Sequence, residues 1–231
     1  MTRRLPISAA PVVVRPFSLP ERPERPERGR ALTAGEWTDA ALWSMREGVD
    51  GVAVESVARS LGVTKGSFYW HFKDRGALVT AALERWEELA TRAVIEELKG
   101  VADPRDRLRR LFASSILSEE SYLAIEMAIA AAADDAIVAP IVGRVSRQRL
   151  SFIVGAYREM GFESAPAQTR AILAYSAFLG VLHVLRNTPE ALPSRAAKKA
   201  YVQHIVETLV PPLREAQPPT KKRTLAESSR R

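Results

Sequence analysis

The chain has 231 residues, 46% of them hydrophobic, and carries a formal net charge of +7 at pH 7; this length allows one or two compact domains. The absence of cysteine excludes disulfides and thiolate chemistry, and three dispersed histidines leave no spaced metal cluster. No apolar run reaches bilayer length and no N-terminal apolar segment resembles a secretory signal. We therefore expect a cytoplasmic protein with no membrane partner.

The positive charge is concentrated at the two ends of the sequence. Residues 1–30 contain seven Arg and three Glu, and residues 214–231 contain six Lys or Arg and two Glu, so each end has a net charge of +4. The residues between these ends have a net charge of −1. The overall basicity is therefore no indication by itself that the folded part binds nucleic acid.

Residues 1–30 contain six prolines and the near-repeat E-R-P-E-R-P-E-R. Such a segment has no apolar face to bury, so we predict a disordered, Pro/Arg-rich arm with some polyproline II structure. Three interpretations of this arm remain open: a dispensable tail, a basic arm that extends a DNA contact, and a misassigned start codon. Residues 214–231 are predicted to be a disordered basic tail.

The first helix is predicted from Thr33 to Glu47, and a helix-turn-helix follows it. In the segment Val54–Leu61, apolar residues recur at helical spacing. Gly62 can adopt the left-handed conformation that ends a helix, and Thr64 has a hydroxyl suited to capping the next one. The second helix of such a motif enters the DNA major groove.

The run A-R-S-L-G-V-T-K-G-S-F-Y-W-H-F-K-D-R-G-A-L resembles the signature of the TetR family, the repressors similar to the tetracycline repressor. The resemblance covers roughly residues 32–86. It departs from the family at Val52 and Ala53, where many members have a Thr or Ser that caps the first motif helix. The matching positions are Ala58, Gly62, Val63, Thr64, Gly66, Tyr69, His71, Phe72 and Leu78.

DNA contacts are expected along the second motif helix and just beyond it. The first turn of that helix brings side chains near base edges, and its N-terminus suits a phosphate. The resemblance places Tyr69 in the groove, whereas Phe68 and Phe72 are expected to fill the small core. The predicted DNA-binding residues are Thr64, Lys65, Gly66, Ser67, Tyr69, Trp70, His71 and Lys73.

The rest of the chain is predicted to be helical, which makes the protein all-α. A fourth helix is expected from Asp74 or Arg75 to Lys99, and further helices near 104–117, 119–133, 136–160, 165–187 and 195–213. Pro140 is expected either to begin its helix or to kink it. We predict a DNA-binding domain over residues 31–84 and a ligand-binding and dimerisation domain over residues 85–213. The resemblance implies that the fourth helix joins them.

A small hydrophobic or aromatic effector is expected in the larger domain, because its helices carry aromatic residues at helical spacing. Each of these residues is also well explained as plain core. Charged groups within apolar helical stretches are more informative, since a buried charge needs a partner or a ligand. The candidate ligand-binding residues are Phe112, Tyr122, Glu126, Met127, Arg149, Phe152, Tyr175, Phe178 and His183.

The resemblance implies a homodimeric, ligand-responsive repressor that binds a palindromic DNA operator and pairs its last two helices in the dimer. Two alternatives remain: a regulator without a small-molecule effector, controlled by a protein partner, and a non-specific architectural DNA-binding protein. A closed pocket of several hundred Å³ would favour the effector. No phosphate-cradling loop, nucleophile motif or metal motif is present, so we expect neither enzymatic activity nor a cofactor.

Overall fold

The structure, a computed structural model, describes residues 19–20 and 30–212. Over this part of the chain it is helical and contains no strand, which confirms the predicted all-α class. The predicted disorder of the arm and of the tail falls outside the described residues, apart from Leu19, Pro20 and Arg30. The helices are α1 (Ala34–Ser44), α2 (Val54–Leu61), α3 (Lys65–Phe68), α4 (Arg75–Glu87), α5 (Ala93–Lys99), α6 (Pro104–Ile116), α7 (Glu120–Ala131), α8 (Val138–Glu159), α9 (Ser164–Asn187) and α10 (Arg195–Leu209).

Helices α1 to α3 pack around an aromatic centre. Thr33 caps α1 through a capping box: its hydroxyl accepts from the Glu36 amide, and the Glu36 carboxylate accepts from the Thr33 amide at 2.8 Å. Trp37 is fully buried, with its ring centre 5.5 Å from that of Phe68. Burial of side chains of this size contributes roughly 1.5–3 kcal/mol each, so this pair ties α1 firmly to α3.

A tight turn sets the angle between α2 and α3. Gly62 ends α2 with φ of 71°, in the left-handed region where a Cβ would be strained. Thr64 stands at the N-cap of α3 in an extended conformation, but its hydroxyl makes no capping bond. The expected position of Thr64 is therefore correct, while its side chain is left exposed.

The start of α4 is fixed to the loop that precedes α2. The Asp74 carboxylate accepts from the Ala77 amide at 2.7 Å, and so caps the helix. The Arg75 guanidinium donates to the carbonyls of Val52 at 2.7 Å and Val49 at 2.9 Å. Since α4 also packs along α1, it is fixed to the helix-turn-helix at more than one point.

The predicted fourth helix extends from Arg75 to Lys99 as expected, but it is not uniform. We call this stretch, which comprises α4, a π turn and α5, the connecting helix. Residues Glu88–Arg92 form a π-helical turn between α4 and α5. Such turns are rare and often lie at functional sites. This π turn contacts α8, so the connecting helix is irregular at the point where it meets the larger domain.

Helices α6 to α10 form that domain. Asp103 caps α6 and Pro104 occupies its first turn, as the sequence predicts. Pro140 lies in the first turn of α8, whose first residue is Val138, so the helix begins within two residues of this proline. Helices α8 and α9 pack along each other, and α10 packs on α6.

One face of α9 is apolar but exposed. Ile172 and Leu173 are 49% and 57% exposed, and Leu179 is 41% exposed. By length and composition, α9 is also the one helix in the described ranges that could cross a bilayer, with a mean hydropathy of 1.2 over an 18-residue window that is 22% buried. Among the described residues of the larger domain, the large hydrophobic side chains that are exposed all lie on this helix.

Part of the N-terminal arm contacts the helix-turn-helix domain. Leu19 is buried in the core cluster, and the carbonyl of Pro20 accepts a hydrogen bond from the Trp43 indole at 2.8 Å. Arg46 lies 4.8 Å from the centre of the same indole ring. Composition gives no signal for this contact, because one leucine within a Pro/Arg-rich segment forms no periodic pattern.

Candidate DNA interface and effector pocket

Two large aromatic side chains are exposed side by side just past the end of the second motif helix, which stops at Phe68, earlier than the sequence indicates. Tyr69 is 60% exposed and Trp70 is 87% exposed. Phe68, their neighbour, is fully buried and contacts the Tyr69 ring edge-on at 5.2 Å between ring centres. The buried ring anchors the segment while its neighbours face solvent, which leaves both aromatic groups available for base and sugar contacts.

The eight predicted DNA-binding residues lie in one continuous stretch of surface. Seven of them are exposed, and Ser67 is half-buried with its hydroxyl donating to the Thr64 carbonyl at 2.9 Å. His71, for which packing and phosphate contact were both open, is exposed. Phe72 is partly buried and stacks on Phe68 at 5.7 Å, as expected for core.

Lys65, on the first turn of α3, is held by an acidic neighbour. Its ammonium lies 2.5 Å from the Glu55 carboxylate on α2. The hydrogen bond to Lys65 lowers the pKa of Glu55, and the hydrogen bond to Glu55 raises the pKa of Lys65. A phosphate or base that binds Lys65 must therefore share it with Glu55.

Gly66 is not required by the fold. A Cβ at this position would meet only the Thr64 hydroxyl, at an ordinary 3.7 Å, and its φ is not positive. An absent side chain on the exposed first turn of α3 instead permits close approach of another molecule to the backbone.

The larger domain contains an apolar pocket beside the connecting helix. The volume within which the centre of a water molecule can move is about 60 Å³, enough for a few waters and well below the several hundred Å³ of typical ligand sites. The pocket is therefore contracted in this conformation. It is lined by Ala90, Thr91, Val94, Ile95, Leu111, Phe112, Ser114, Ser115, Ile116, Tyr122, Arg149, Phe152, Ile153, Ala174, Tyr175, Phe178 and Ile205.

A buried ion pair lies at the pocket, with Arg149 in its wall and Glu126 behind it. The Arg149 guanidinium donates to the two carboxylate oxygens of Glu126 at 2.8 and 3.2 Å. It also donates to the Thr91 hydroxyl at 3.0 Å and to the Ala90 carbonyl at 3.3 Å, both in the π turn. The pair therefore links α8 and α7 to the connecting helix.

Two aromatic residues complete the surroundings of Glu126. The Trp86 indole donates to its carboxylate at 3.0 Å, and the Tyr122 hydroxyl donates to the same oxygen. Burial, reinforced by the Glu126 charge, raises the pKa of Tyr122 well above its usual value. Burial alone would lower the pKa of Arg149, but the Glu126 carboxylate outweighs it and raises that pKa. Both side chains therefore keep their protons at all physiological pH values.

A second polar cluster lies one turn earlier on the connecting helix. The buried Glu87 carboxylate accepts from the Arg144 guanidinium and from the Gln148 amide at 2.9 Å. The Arg144 hydrogen bonds lower the pKa of Glu87 despite its burial. Successive turns of α8 thus bind the end of α4 and the π turn through charge-assisted hydrogen bonds.

The structure brings together six of the nine predicted ligand-binding residues and places three elsewhere. Glu126 lies behind the pocket wall, paired with Arg149. Met127 and His183 line a separate surface groove of about 390 Å³ beside α9, with Arg186. The six that line the pocket are Phe112, Tyr122, Arg149, Phe152, Tyr175 and Phe178.

Two residues that shape the pocket were not predicted from the sequence. Trp86 marks only the end of the signature, and Thr91 is one polar residue in a mixed helix. Thr91 lies within the π turn, which directs its side chain differently from a regular helix, and Trp86 lies in α4 just before that turn. Hydrophobic periodicity contains no signal for that change.

The geometry defines a helix-turn-helix DNA-binding protein with a second, pocket-containing helical domain. Residues 39–82 match the family described as bacterial regulatory proteins, tetR family. The HTH-type transcriptional regulator AcrR of Shigella flexneri is 30% identical over 87 residues, which are 36% of this chain and 40% of AcrR. The chain thus matches about two fifths of that relative's length.

Two solved structures extend the comparison across both domains. A TetR-family transcriptional regulator from Rhodococcus sp. has a TM-score of 0.62 at 21% identity, over 77% of this chain and 98% of the other. The complex of SmeT with triclosan has a TM-score of 0.58 at 22% identity, over 80% of this chain and 98% of SmeT. The chain is therefore similar to the TetR family of DNA-binding transcriptional regulators, in sequence over residues 39–82 and in fold across both domains.

Proposed function

We propose that this protein is a ligand-responsive repressor that binds a near-palindromic operator as a homodimer. The observation that carries the proposal is the exposed pair Tyr69 and Trp70 at the end of the short helix α3, which is anchored by buried Phe68. Two such helices, one per subunit, would enter successive major grooves about one helical turn (~34 Å) apart. The predicted contacts of Thr64 and Lys73 with phosphates would then set the register.

The homodimer is supported by the exposed apolar face of α9. Ile172, Leu173 and Leu179 lie on a helix that is long and apolar enough, by length and composition, to span a membrane. In a family of DNA-binding regulators, a second copy of α9 accounts for this face without a bilayer. We accordingly propose a cytoplasmic location.

The response to a ligand is supported by the position of the pocket. It lies against Ala90 and Thr91 of the connecting helix, whose first half is joined to the DNA-binding domain through Arg75. A ligand that binds better to one position of this helix would change the separation of the two DNA-reading helices, the α3 helix of each subunit. SmeT, a neighbour of the same fold, is known in complex with triclosan.

A second candidate is a regulator without a small-molecule effector. The observation that favours it is the contracted pocket, with only about 60 Å³ open to the centre of a water molecule. In this case a protein partner would control DNA binding. The two candidates share the DNA-binding surface and differ only in what acts on the larger domain.

The test is binding of the purified protein to its own upstream intergenic DNA over a salt series. Sequence-selective binding that Tyr69→Ala abolishes and removal of residues 1–30 preserves is the expected result. Tyr69→Phe is the matched control, since it keeps the ring and removes only the hydroxyl. DNA binding that does not depend on sequence, is unchanged in Tyr69→Ala and is lost when residues 1–30 are removed would instead identify a non-specific architectural protein.

A further inference from the structure

The pocket wall contains a single formal charge among its described residues, that of Arg149. Its side chain is 13% exposed, and that of Glu126 is 4% exposed. A lone arginine in an apolar pocket would select an acidic ligand, because a buried charge requires a counter-charge. The charge of Arg149, however, is already balanced from within the protein.

Most hydrogen-bonding groups of Arg149 are occupied as well. Four of its five N–H groups donate to Glu126, Thr91 and Ala90. The guanidinium also lies 5.2 Å from the ring centre of Trp86 and 5.8 Å from that of Phe178. Its charge and most of its donors are therefore used by the protein itself.

An acidic ligand would have to displace Glu126 from Arg149. The displaced carboxylate would stay buried, with only Trp86 and Tyr122 as donors in place of an arginine. Loss of one partner from a buried ion pair is strongly unfavourable. A cationic ligand would meet the positive end of the same pair. The arrangement consequently disfavours both charges.

The hydroxyl groups of the wall indicate what polar group a neutral ligand would carry. Ser114 and Ser115 both donate to the Leu111 carbonyl, at 3.0 and 2.8 Å. A hydroxyl that donates in this way still has lone pairs with which to accept. These two side chains can therefore accept a hydrogen bond from a ligand.

We propose that the pocket selects an uncharged aromatic molecule with one hydroxyl or N–H donor, and that the Arg149–Glu126 pair is the filter that excludes organic acids. The inference rests on the proposed ligand response and specifies its ligand class. Phe112, Phe152 and Phe178 supply the aromatic contacts, and Ser114 and Ser115 accept from the donor. The contracted pocket must widen to admit a ring, so ligand binding and a change in the wall occur together.

The test is calorimetric titration of the full-length protein with three probes that share one skeleton: 2-naphthalenemethanol, 2-naphthoate and 2-naphthylmethylammonium, at pH 7. We expect the alcohol to bind at least about tenfold more tightly than either ion, a difference of roughly 1.4 kcal/mol. Glu126→Gln keeps an acceptor for Trp86 and removes the counter-charge of Arg149. This variant should bind 2-naphthoate at least about tenfold more tightly than the unmodified protein does.

Two further variants keep the test interpretable. Glu190→Gln is the matched control, because Glu190 is exposed and does not line the pocket, and it should leave all three affinities unchanged. The double variant Glu126→Gln with Arg149→Met removes both charges together, so neither charge is left buried without its partner. It should bind the alcohol and show no gain for the acid.

The outcomes distinguish failure of this inference from failure of the proposed function. Tighter binding of the acid or the amine by the unmodified protein, or equal binding of all three probes, would overturn this inference and leave the ligand-responsive repressor intact. Binding of no probe by a protein that still binds its operator would overturn this inference alone, because the three probes share one aromatic skeleton. Loss of operator binding would refute the proposed DNA function independently of the probes.

Discussion

Arg149→Met is expected to destabilise the fold by about 3–5 kcal/mol, the cost of leaving one buried charge unpaired. The size follows from burial. Exposed pairs contribute only about 0–1 kcal/mol, but the side chains of Arg149 and Glu126 are 13% and 4% exposed. Methionine fills much of the arginine volume. The loss of folding stability is therefore caused by the missing partner of Glu126 and not by a cavity.

The assay is thermal and urea denaturation at pH 7 and at one fixed protein concentration, since the stability of a dimer depends on concentration. For a chain of this length, each kcal/mol corresponds to about 2–4 °C, so Tm should fall by roughly 6–20 °C. Glu126→Gln combined with Arg149→Met should recover most of the loss, because replacing both charges is often nearly neutral. Additive losses, or a loss below about 1 kcal/mol for Arg149→Met, would refute the buried-pair reasoning.

Three further predictions concern the recognition helix and the connecting helix. Trp70→Ala should change stability by less than about 0.5 kcal/mol, as expected for a surface site, yet weaken operator binding in a mobility-shift titration; a large loss of stability would contradict its exposed position. Gly66→Ala should leave Tm unchanged or slightly raised, because helix interiors favour Ala over Gly by about 0.5–1 kcal/mol, while reducing operator affinity if the backbone approaches DNA. The pKa of Glu87 is lowered from 4.5 by Arg144, so its stabilisation is complete above that value and is lost as pH falls through the lower pKa of the folded protein. The stability difference between the protein and Arg144→Gln, measured by denaturation, should therefore be constant near pH 7 and shrink below pH 4.5.

The DNA-binding half was readable from the sequence because its structure is locally encoded. Gly62, Thr64 and Phe68 each have the conformation or burial that their residue type favours, and the turn follows from them. The motif also indicated that Phe68 is buried and that Tyr69 is exposed, as the structure shows. Only the absence of a capping bond from Thr64 differs from the local expectation.

The pocket was predicted less completely, because its chemistry depends on contacts between distant residues. Glu126 and Arg149 were notable as charges in apolar helices, but the sequence could not reveal that they neutralise each other. Thr91 lies in an irregular turn that has no hydrophobic signature, and Trp86 contributes through a hydrogen bond to Glu126, 40 residues away in the sequence. Met127 and His183 follow the same helical spacing as the pocket residues, yet face an outer groove.

The π turn at Glu88–Arg92 has a consequence for how the connecting helix tolerates changes in length. A π turn closes its hydrogen bond over five residues where an α turn closes over four, so it stores one residue beyond the regular repeat. Removal of one residue within it would restore an uninterrupted α-helix and preserve the faces that α4 and α5 present to their neighbours. The same deletion within α4 would rotate the side chains that follow by about 100° and expose the core.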